Sequence, residues 1–138
     1  MDGPEEPCHT RWVLRPVFQI AGFLGGGVAV FEIRDVAGPA TDTLIRDATL
    51  GAALAQTLGD RPVALMRGYG AVTVGNSLQQ VVYRAVYTEV NARLQAEAMR
   101  LGSVNYLTAE EAARAAATND PLVGRTWDLW KRKALGTP

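Results

Sequence analysis

Histidine and cysteine are nearly absent from this chain of 138 residues, which has one of each, His9 and Cys8. Zinc and similar ions need three or four nitrogen, sulfur or carboxylate ligands that converge on one point. Two adjacent residues ahead of the first predicted strand do not supply such a set, so a metal ion held by this chain is not expected. A single cysteine cannot form an internal disulfide either, which is typical of a reducing cytoplasm. Without an adjacent base or helix start, Cys8 is interpreted as an incidental thiol and not as a nucleophile.

Net charge and long apolar runs are also lacking. The 14 basic and 14 acidic residues cancel, whereas proteins that bind nucleic acid or anionic membranes carry a basic excess. No apolar run is long enough to span a bilayer. Residues 1–10 hold acids and prolines instead of the basic start and apolar centre of a signal peptide. The composition therefore predicts a cytoplasmic protein whose partners include neither nucleic acid nor membranes.

The hydrophobic fraction of 48% and the charged fraction of 20% are ordinary for a folded protein. A chain of this length suits one domain. Residues 1–11 are predicted to be a flexible lead, and residues 12–138 are predicted to form the domain.

Three short strands are predicted, rich in β-branched and other apolar residues, at residues 28–33, 62–66 and 71–74. The Gly-Pro pair at 38–39 is expected to break the first strand. Thr41 or Asp42 is expected to cap a helix that runs to about Leu58 and stops at Gly59.

The longest helix is predicted over residues 78–101, after a capping box formed by Ser77 and Gln80. Its apolar side chains form a stripe that is expected to face the core: Leu78, Val81, Val82, Ala85, Val86, Val90, Leu94 and Ala98. A second capping box at 108–111 starts another helix, and a C-terminal helix follows Pro121. Strands followed by long amphipathic helices favour an α/β fold in which helices cover a sheet. Because so small a sheet often completes its burial against another subunit, a homo-oligomer is expected.

Tyr69 lies between two glycines in the segment 65–75, Leu-Met-Arg-Gly-Tyr-Gly-Ala-Val-Thr-Val-Gly. Together with the segments 35–42, 87–92 and 127–131, it resembles the class II aldolase/adducin family. The closest branch is the 3-hydroxy-2-methylpyridine-4,5-dicarboxylate decarboxylase group. The resemblance implies a truncated form of that family's sheet, covered by helices, which corresponds to the C-terminal portion of a full-length member.

The same resemblance implies that the metal ligands of the family are lost. Family members carry a metal-binding histidine where this chain has Tyr69, and members of this branch carry a histidine where it has Gln19. Full-length members also have an N-terminal glutamate that acts as acid or base and a His-x-His pair, which this chain lacks. No cofactor is therefore expected.

Three candidate site residues follow from these positions. Tyr69 is the candidate catalytic residue, because its hydroxyl could orient or protonate a substrate oxygen; the alternative is a partly exposed aromatic left in a turn. Arg67 is a candidate for binding a substrate carboxylate in two-point fashion, or it is a surface arginine in a salt bridge. Gln19 either donates a hydrogen bond to a polar ligand or is an ordinary strand residue.

Three further candidates for substrate binding lie on the predicted helices. Tyr83 and Tyr87 are four residues apart and share a helix face, so they could wall a ligand; helix packing and a subunit contact are the alternative. Trp127 shares a face with Trp130 and could cover a pocket mouth, or it serves core or interface packing. The glycine triplet at 25–27 lacks the lysine and hydroxyl of a phosphate-binding loop and is interpreted as a turn.

These features favour a metal-independent enzyme of the lyase, isomerase or cyclase type that acts on a cyclic or aromatic oxygenated substrate, since one pocket can support many reactions. The alternative is a non-catalytic subunit or partner of a longer, full-length decarboxylase of the family. A ligand-binding or scaffold homo-oligomer is a third hypothesis.

Overall fold

The computed structural model describes residues 14–137. The predicted lead at 1–11, with Cys8 and His9, lies outside the described residues. The elements from Leu14 onward form an α/β arrangement with a small mixed sheet and several helices, as predicted.

The sheet has three strands in the order β1-β2-β3 within the described residues. Strand β1 (Ala29–Phe31) pairs in parallel with β2 (Val63–Met66), and β2 pairs antiparallel with β3 (Gly70–Thr73). The first strand is shorter than predicted, because Ile33 already has helical dihedrals and caps a one-turn helix, α1 (Arg34–Ala37). The glycine of the Gly-Pro pair therefore ends this helix and does not break the strand.

Helix α2 (Ala48–Leu58) starts later than the sequence predicted. The carboxylate of Asp47 accepts a hydrogen bond from the Leu50 amide at 2.9 Å and caps the helix. The prediction that Thr41 or Asp42 caps it was wrong, because the backbone amides that donate to their side chains lie two residues ahead and belong to a loop. The helix ends at Gly59, where φ is +60°, as predicted.

Helix α3 (Leu78–Leu101) has the predicted bounds, but the predicted buried stripe was wrong. The buried side chains of this helix are those of Tyr83, Thr88 and Asn91, whereas Val86 and Leu94 of the stripe are exposed. The reason lies in the tertiary contacts of this helix. The segment 14–18 lies against α3, and both its backbone and its phenylalanine meet polar and aromatic side chains of that helix.

The cap of α3 also differs in part from the predicted box. The hydroxyl of Ser77 accepts a hydrogen bond from the Gln80 amide at 3.1 Å. The Gln80 side chain accepts from the Asn76 amide at 2.7 Å, one residue upstream of the expected donor.

Helix α4 (Ala109–Asn119) starts at the predicted capping box, in which Thr108 and Glu111 each accept a hydrogen bond from the other's backbone amide. A 3-10 turn (Asp120–Leu122) connects it to α5 (Val123–Leu135). Helix α4 packs closely on a 3-10 helix, Gln19–Leu24.

Two groups of side chains form the core of the described residues. The first joins the 3-10 helix to the sheet and contains Leu14, Ala21, Leu24, Val28 and Val63. The second lies between β1 and α2 and contains Phe31, Ile33 and Leu50. The sheet is thus held between the 3-10 helix on one side and α2 on the other.

The contact between Gly22 and α4 leaves no room for a side chain. A Cβ at Gly22 would lie 2.6 Å from the Ala112 carbonyl oxygen and 2.8 Å from the Ala115 Cβ. Gly22→Ala is therefore expected to destabilise the fold by about 1–3 kcal/mol, because backbone atoms must move. Urea unfolding measures this loss.

Gly26→Ala is the matched control, since a Cβ at Gly26 would meet nothing within 4 Å. Its unfolding midpoint is expected to stay near that of the original chain. Equal midpoints for both variants would contradict the close packing of α4 on the 3-10 helix.

Candidate functional site

Tyr69 lies at the tip of the tight turn between β2 and β3. The Tyr69 amide donates a hydrogen bond to the Met66 carbonyl at 3.0 Å, which closes the turn. Gly68 has φ of +72° and Gly70 has φ of +155°, values that residues with a Cβ rarely adopt. The turn leaves the tyrosine side chain 61% exposed. The glycines therefore permit the backbone angles of this turn, and the phenol is exposed to solvent.

A loop at residues 41–47 lies against this turn. A Cβ at Gly68 would be 4.0 Å from the Thr43 methyl group. Thr43 has φ of +67°, the left-handed region that a β-branched residue rarely occupies. Its conformation is stabilised by hydrogen bonds from the Thr43 amide to Thr41 Oγ1 at 3.0 Å and from the Leu44 amide to Asp42 Oδ1 at 3.1 Å. Such strained positions are often part of functional sites.

The turn and the loop together form an open cavity of about 430 Å³, which is lined by Leu44, Ile45, Arg46 and Tyr69. The Arg46 guanidinium pairs with the Asp42 carboxylate and stays largely exposed. Arg46 is a residue that sequence reasoning missed, because the segment was interpreted as the first turn of a helix. Tyr69 and Arg46 both line this cavity, and a phenolic hydroxyl and a guanidinium are groups that can bind an anionic or oxygenated ligand.

Arg67 is engaged on the other side of the turn. Its guanidinium Nε lies 2.7 Å from Glu32 Oε2, and its amide donates to the Phe31 carbonyl at 3.1 Å. The same carboxylate pairs with Arg34 at 2.7 Å. The structure thus contains the salt bridge that the sequence left open as the alternative for Arg67. Glu32 joins the ends of β1 and β2 beneath the candidate site.

Glu32 has a strongly perturbed pKa. Hydrogen bonds from the Arg34 side chain, and then from the Arg34 amide and Arg67, lower the pKa of Glu32 from 4.5 to about 2, against a desolvation effect that raises it. This carboxylate is therefore ionised at neutral pH, and its charge is balanced by two guanidinium groups.

Gln19 lies away from the turn, in the 3-10 helix, so the interpretation as a strand residue was wrong. Asn119 Nδ2 donates to the Gln19 carbonyl and to Gln19 Oε1, each at 3.2 Å. These bonds join the 3-10 helix to the end of α4. Gln19 does not line the cavity beside Tyr69.

The predicted aromatic residues of α3 form a packed cluster with their neighbours. The ring centroids of Tyr83 and Tyr87 are 4.7 Å apart, and Phe18 lies 6.4 Å from Tyr87. The nearest tryptophan ring is that of Trp130, 5.9 Å from Tyr87, whereas Trp127 is half-buried on the same helix. Burial, followed by the effect of Tyr87, raises the pKa of Tyr83 to about 12. None of these rings lines the cavity beside Tyr69.

The residues present do not fit the metal that the family resemblance implies. Within residues 14–137 there is no group of three or more histidine, cysteine, aspartate or glutamate side chains placed to hold a metal ion. The two positions at which the resemblance expects histidine carry a phenol at Tyr69 and an amide at Gln19 that hydrogen-bonds Asn119.

No helix within residues 14–137 is long and apolar enough to cross a membrane.

The mixed sheet, its glycine-flanked turn and its helical cover define an α/β domain with a cavity beside the turn. The sequence model for the Class II Aldolase and Adducin N-terminal domain matches residues 10–96 of this chain. Because that match covers more than half of the chain, the protein belongs to the class II aldolase and adducin family. The predicted family is confirmed.

Curated relatives of the chain are decarboxylases. Decarboxylase tropJ of Talaromyces stipitatus is 33% identical over 141 residues, which cover 87% of this chain and 53% of the relative. The 3,4-dihydroxyphthalate decarboxylase of Arthrobacter keyseri is 31% identical over 94 residues, which cover 64% of this chain and 35% of the relative. The enzyme of the same name from Terrabacter sp. is 31% identical over 106 residues, which cover 72% of this chain and 41% of the relative. The chain thus spans about half the length of the first relative and less of the others. The pyridine-dicarboxylate branch stays a prediction.

The ion pairs of Glu32 generate a prediction on pH dependence. Because the pKa of Glu32 is lower in the folded protein, its ionised form stabilises the fold above pH 4.5, and this contribution is lost as the pH falls toward 2. Glu32→Gln is expected to lower the urea midpoint at neutral pH and to flatten its decline in that acidic range. Circular dichroism during urea unfolding measures both.

Glu97→Gln is the control, since Glu97 forms an exposed ion pair with Arg100, and such pairs contribute little to stability. If the two variants showed the same acid dependence, the ion pairs of Glu32 would not be what joins β1 to β2.

Proposed function

We propose that this chain is a metal-independent small-molecule enzyme of the lyase, isomerase or cyclase type that acts on a cyclic or aromatic oxygenated substrate. The observation that carries the proposal is the cavity that Tyr69 and Arg46 both line. The family membership and the decarboxylase relatives support lyase chemistry on this scaffold. The phenol at position 69, where the resemblance implies a metal-binding histidine, supports independence from a metal.

Tyr69 has the role of hydrogen-bond donor in this proposal. When a ring carboxylate leaves as carbon dioxide from the keto tautomer of a hydroxylated ring, in which the carboxylated carbon is tetrahedral and next to the carbonyl, the electron pair of the broken bond is delocalised onto the carbonyl oxygen. A hydroxyl placed beside that oxygen stabilises the developing charge and can deliver a proton to it. Isomerisation and ring closure through an enolate need the same stabilisation, so the three reaction types share one requirement.

Arg46 has the role of positioning the substrate. Its side chain is mostly exposed, and its guanidinium can donate hydrogen bonds to a second carboxylate or oxygen in addition to its pair with Asp42. Arg67, Gln19, Tyr83, Tyr87 and Trp127 stay predictions for substrate binding. Their contacts with Glu32, Asn119 and neighbouring rings support a role in holding the scaffold.

Tyr69→Phe tests the proposal, because it removes one hydroxyl from an exposed ring and leaves the turn intact. Hydroxylated aromatic carboxylates, with 3,4-dihydroxyphthalate among them, are incubated with the protein in the presence of a chelator, and products are followed by mass spectrometry. Turnover is expected to persist in the chelator. It is expected to fall roughly 10²–10⁴-fold in Tyr69→Phe, the usual range for loss of a general acid.

Arg100→Gln serves as the control, since Arg100 lies at the far end of α3 in an exposed ion pair. Full activity in Tyr69→Phe would remove the phenol from the mechanism. Loss of activity in the chelator, restored by zinc or manganese, would overturn the metal-independent reading.

A second candidate function is that of a non-catalytic subunit of a longer family member. The observation that favours it is the exposed apolar surface of α3, where Leu78, Val86 and Leu94 face solvent, since such surfaces often mark interfaces. The same surface supports the homo-oligomer expected from the sequence, because a second copy could cover it.

Val86→Asp separates these assemblies from the catalytic proposal. Native mass spectrometry of the chain alone, and mixed with a full-length family member, is expected to reveal an assembly that Val86→Asp weakens, because a buried charge without a partner is unfavourable. Glu89→Gln, one turn away and exposed, is the control. A monomer under both conditions would contradict both kinds of assembly, and activity confined to the mixture would favour the subunit role.

A further inference from the structure

The structure contains a second cavity that is larger than the one beside Tyr69. It has a volume of about 740 Å³ and is bounded by the segment 14–16, the C-terminal half of α3, and the segment 106–109 that leads into α4. None of the residues around the Tyr69 cavity lines it. Its volume is within the range of small-molecule sites, about 300–1,000 Å³.

Arg15 supplies a positive charge at this cavity. Its guanidinium carbon lies 4.2 Å from the centroid of the Tyr106 ring, and this cation–π contact holds the group over the ring. Within residues 14–137, Arg15 forms no ion pair, whereas Arg34, Arg46, Arg67, Arg93, Arg100 and Arg114 each pair with a carboxylate. The guanidinium thus keeps its donors for a carboxylate that comes from outside the described fold.

Gln95 fixes both members of this stacked pair. Its Oε1 accepts a hydrogen bond from the Arg15 amide at 2.9 Å, which identifies the other terminal atom as nitrogen. That nitrogen, Nε2, donates to the Tyr106 hydroxyl oxygen at 3.2 Å. Because the hydroxyl oxygen accepts this bond, its own hydrogen is left to be donated. A ligand oxygen near Arg15 could accept it.

Apart from Thr108, the remaining side chains around the cavity are apolar. They include Leu24 and Leu65 from the core and Ala96 and Met99 from α3. Gly25 also lines the cavity and adds no side chain to it. Such walls favour the burial of a ring, at roughly 25 cal/mol for each Å² of apolar surface removed from water, but offer an oxygen-rich aliphatic ligand little to bind.

We propose that this cavity binds a small aromatic carboxylate. The ring packs against Leu24, Leu65 and Met99, and the carboxylate is held by the Arg15 guanidinium and the Tyr106 hydroxyl. The stacked arrangement suits this ligand because a guanidinium fork matches the two oxygens of a carboxylate. The proposal does not depend on catalysis at Tyr69, because it concerns binding alone.

Titration of the full chain with benzoate, followed by two-dimensional NMR, tests this site. Saturable shifts are expected for the amides of Tyr106 and Ala96. Arg15→Gln is expected to weaken benzoate binding roughly tenfold or more, the usual effect of losing a hydrogen bond to a charged group. Benzamide, which has the same ring and no charge, is expected to bind the original chain about as weakly as benzoate binds the variant.

Two further variants locate the site. Arg100→Gln, which removes another exposed arginine of α3, is expected to leave the benzoate affinity within about twofold, as an effect of net charge alone would be small and screened. Ala96→Trp fills the cavity from an exposed helix position and is expected to abolish binding, with an unchanged circular dichroism spectrum as the check on folding.

Three results would overturn the proposal. They are the absence of saturable shifts with benzoate, equal affinity for benzoate and benzamide, and equal loss of affinity in Arg15→Gln and Arg100→Gln. Each can be distinguished from a failure at Tyr69, because none of these measurements requires turnover.

Discussion

The buried amide of Asn91 is the contact on which the arrangement of this domain depends. Asn91 has no exposed surface, its Oδ1 accepts a hydrogen bond from the Val17 amide at 2.9 Å, and its Nδ2 donates to the Arg15 carbonyl at 2.7 Å. The segment 14–17 belongs to no strand or helix, so these backbone groups need a partner from elsewhere. An unpaired buried polar group costs about 1–3 kcal/mol. Asn91 therefore attaches two backbone groups of this segment to α3.

Much of the remaining geometry follows from that attachment. With the segment 14–17 held along α3, Phe18 reaches Tyr87, and the 3-10 helix begins where Gly22 can pack against α4. One turn after Asn91, Gln95 repeats the same kind of contact with the Arg15 amide. Helix α3 consequently buries a face that contains amides and phenols. Its exposed side chains of Leu78, Val86 and Leu94 are left for solvent or for another chain.

Local chemistry in the sequence predicted the elements whose boundaries depend on nearby residues. The caps at Ser77 and Thr108 and the stop at Gly59 are settled within one helical turn, and all three lie where predicted. The buried face of α3 was predicted wrongly, because it is decided by Asn91 and a segment 74 residues away. Arg46 was missed for a related reason: the Thr41 and Asp42 side chains can cap a helix or stabilise a loop, and the packing of Thr43 on Gly68 favours the loop.

A phenol at position 69, where the family resemblance implies an imidazole, changes what this turn can offer a ligand. A neutral imidazole presents a nitrogen lone pair to a metal ion, whereas a phenolic hydroxyl presents a hydrogen together with a weaker acceptor oxygen. The flanking glycines fix the backbone in the same way for either side chain, since Gly68 and Gly70 both have positive φ. The scaffold can therefore persist while its chemistry moves from holding a cation to donating a hydrogen bond. In the proposed reaction, Arg46, which lines the same cavity, supplies the positive charge near a developing oxyanion.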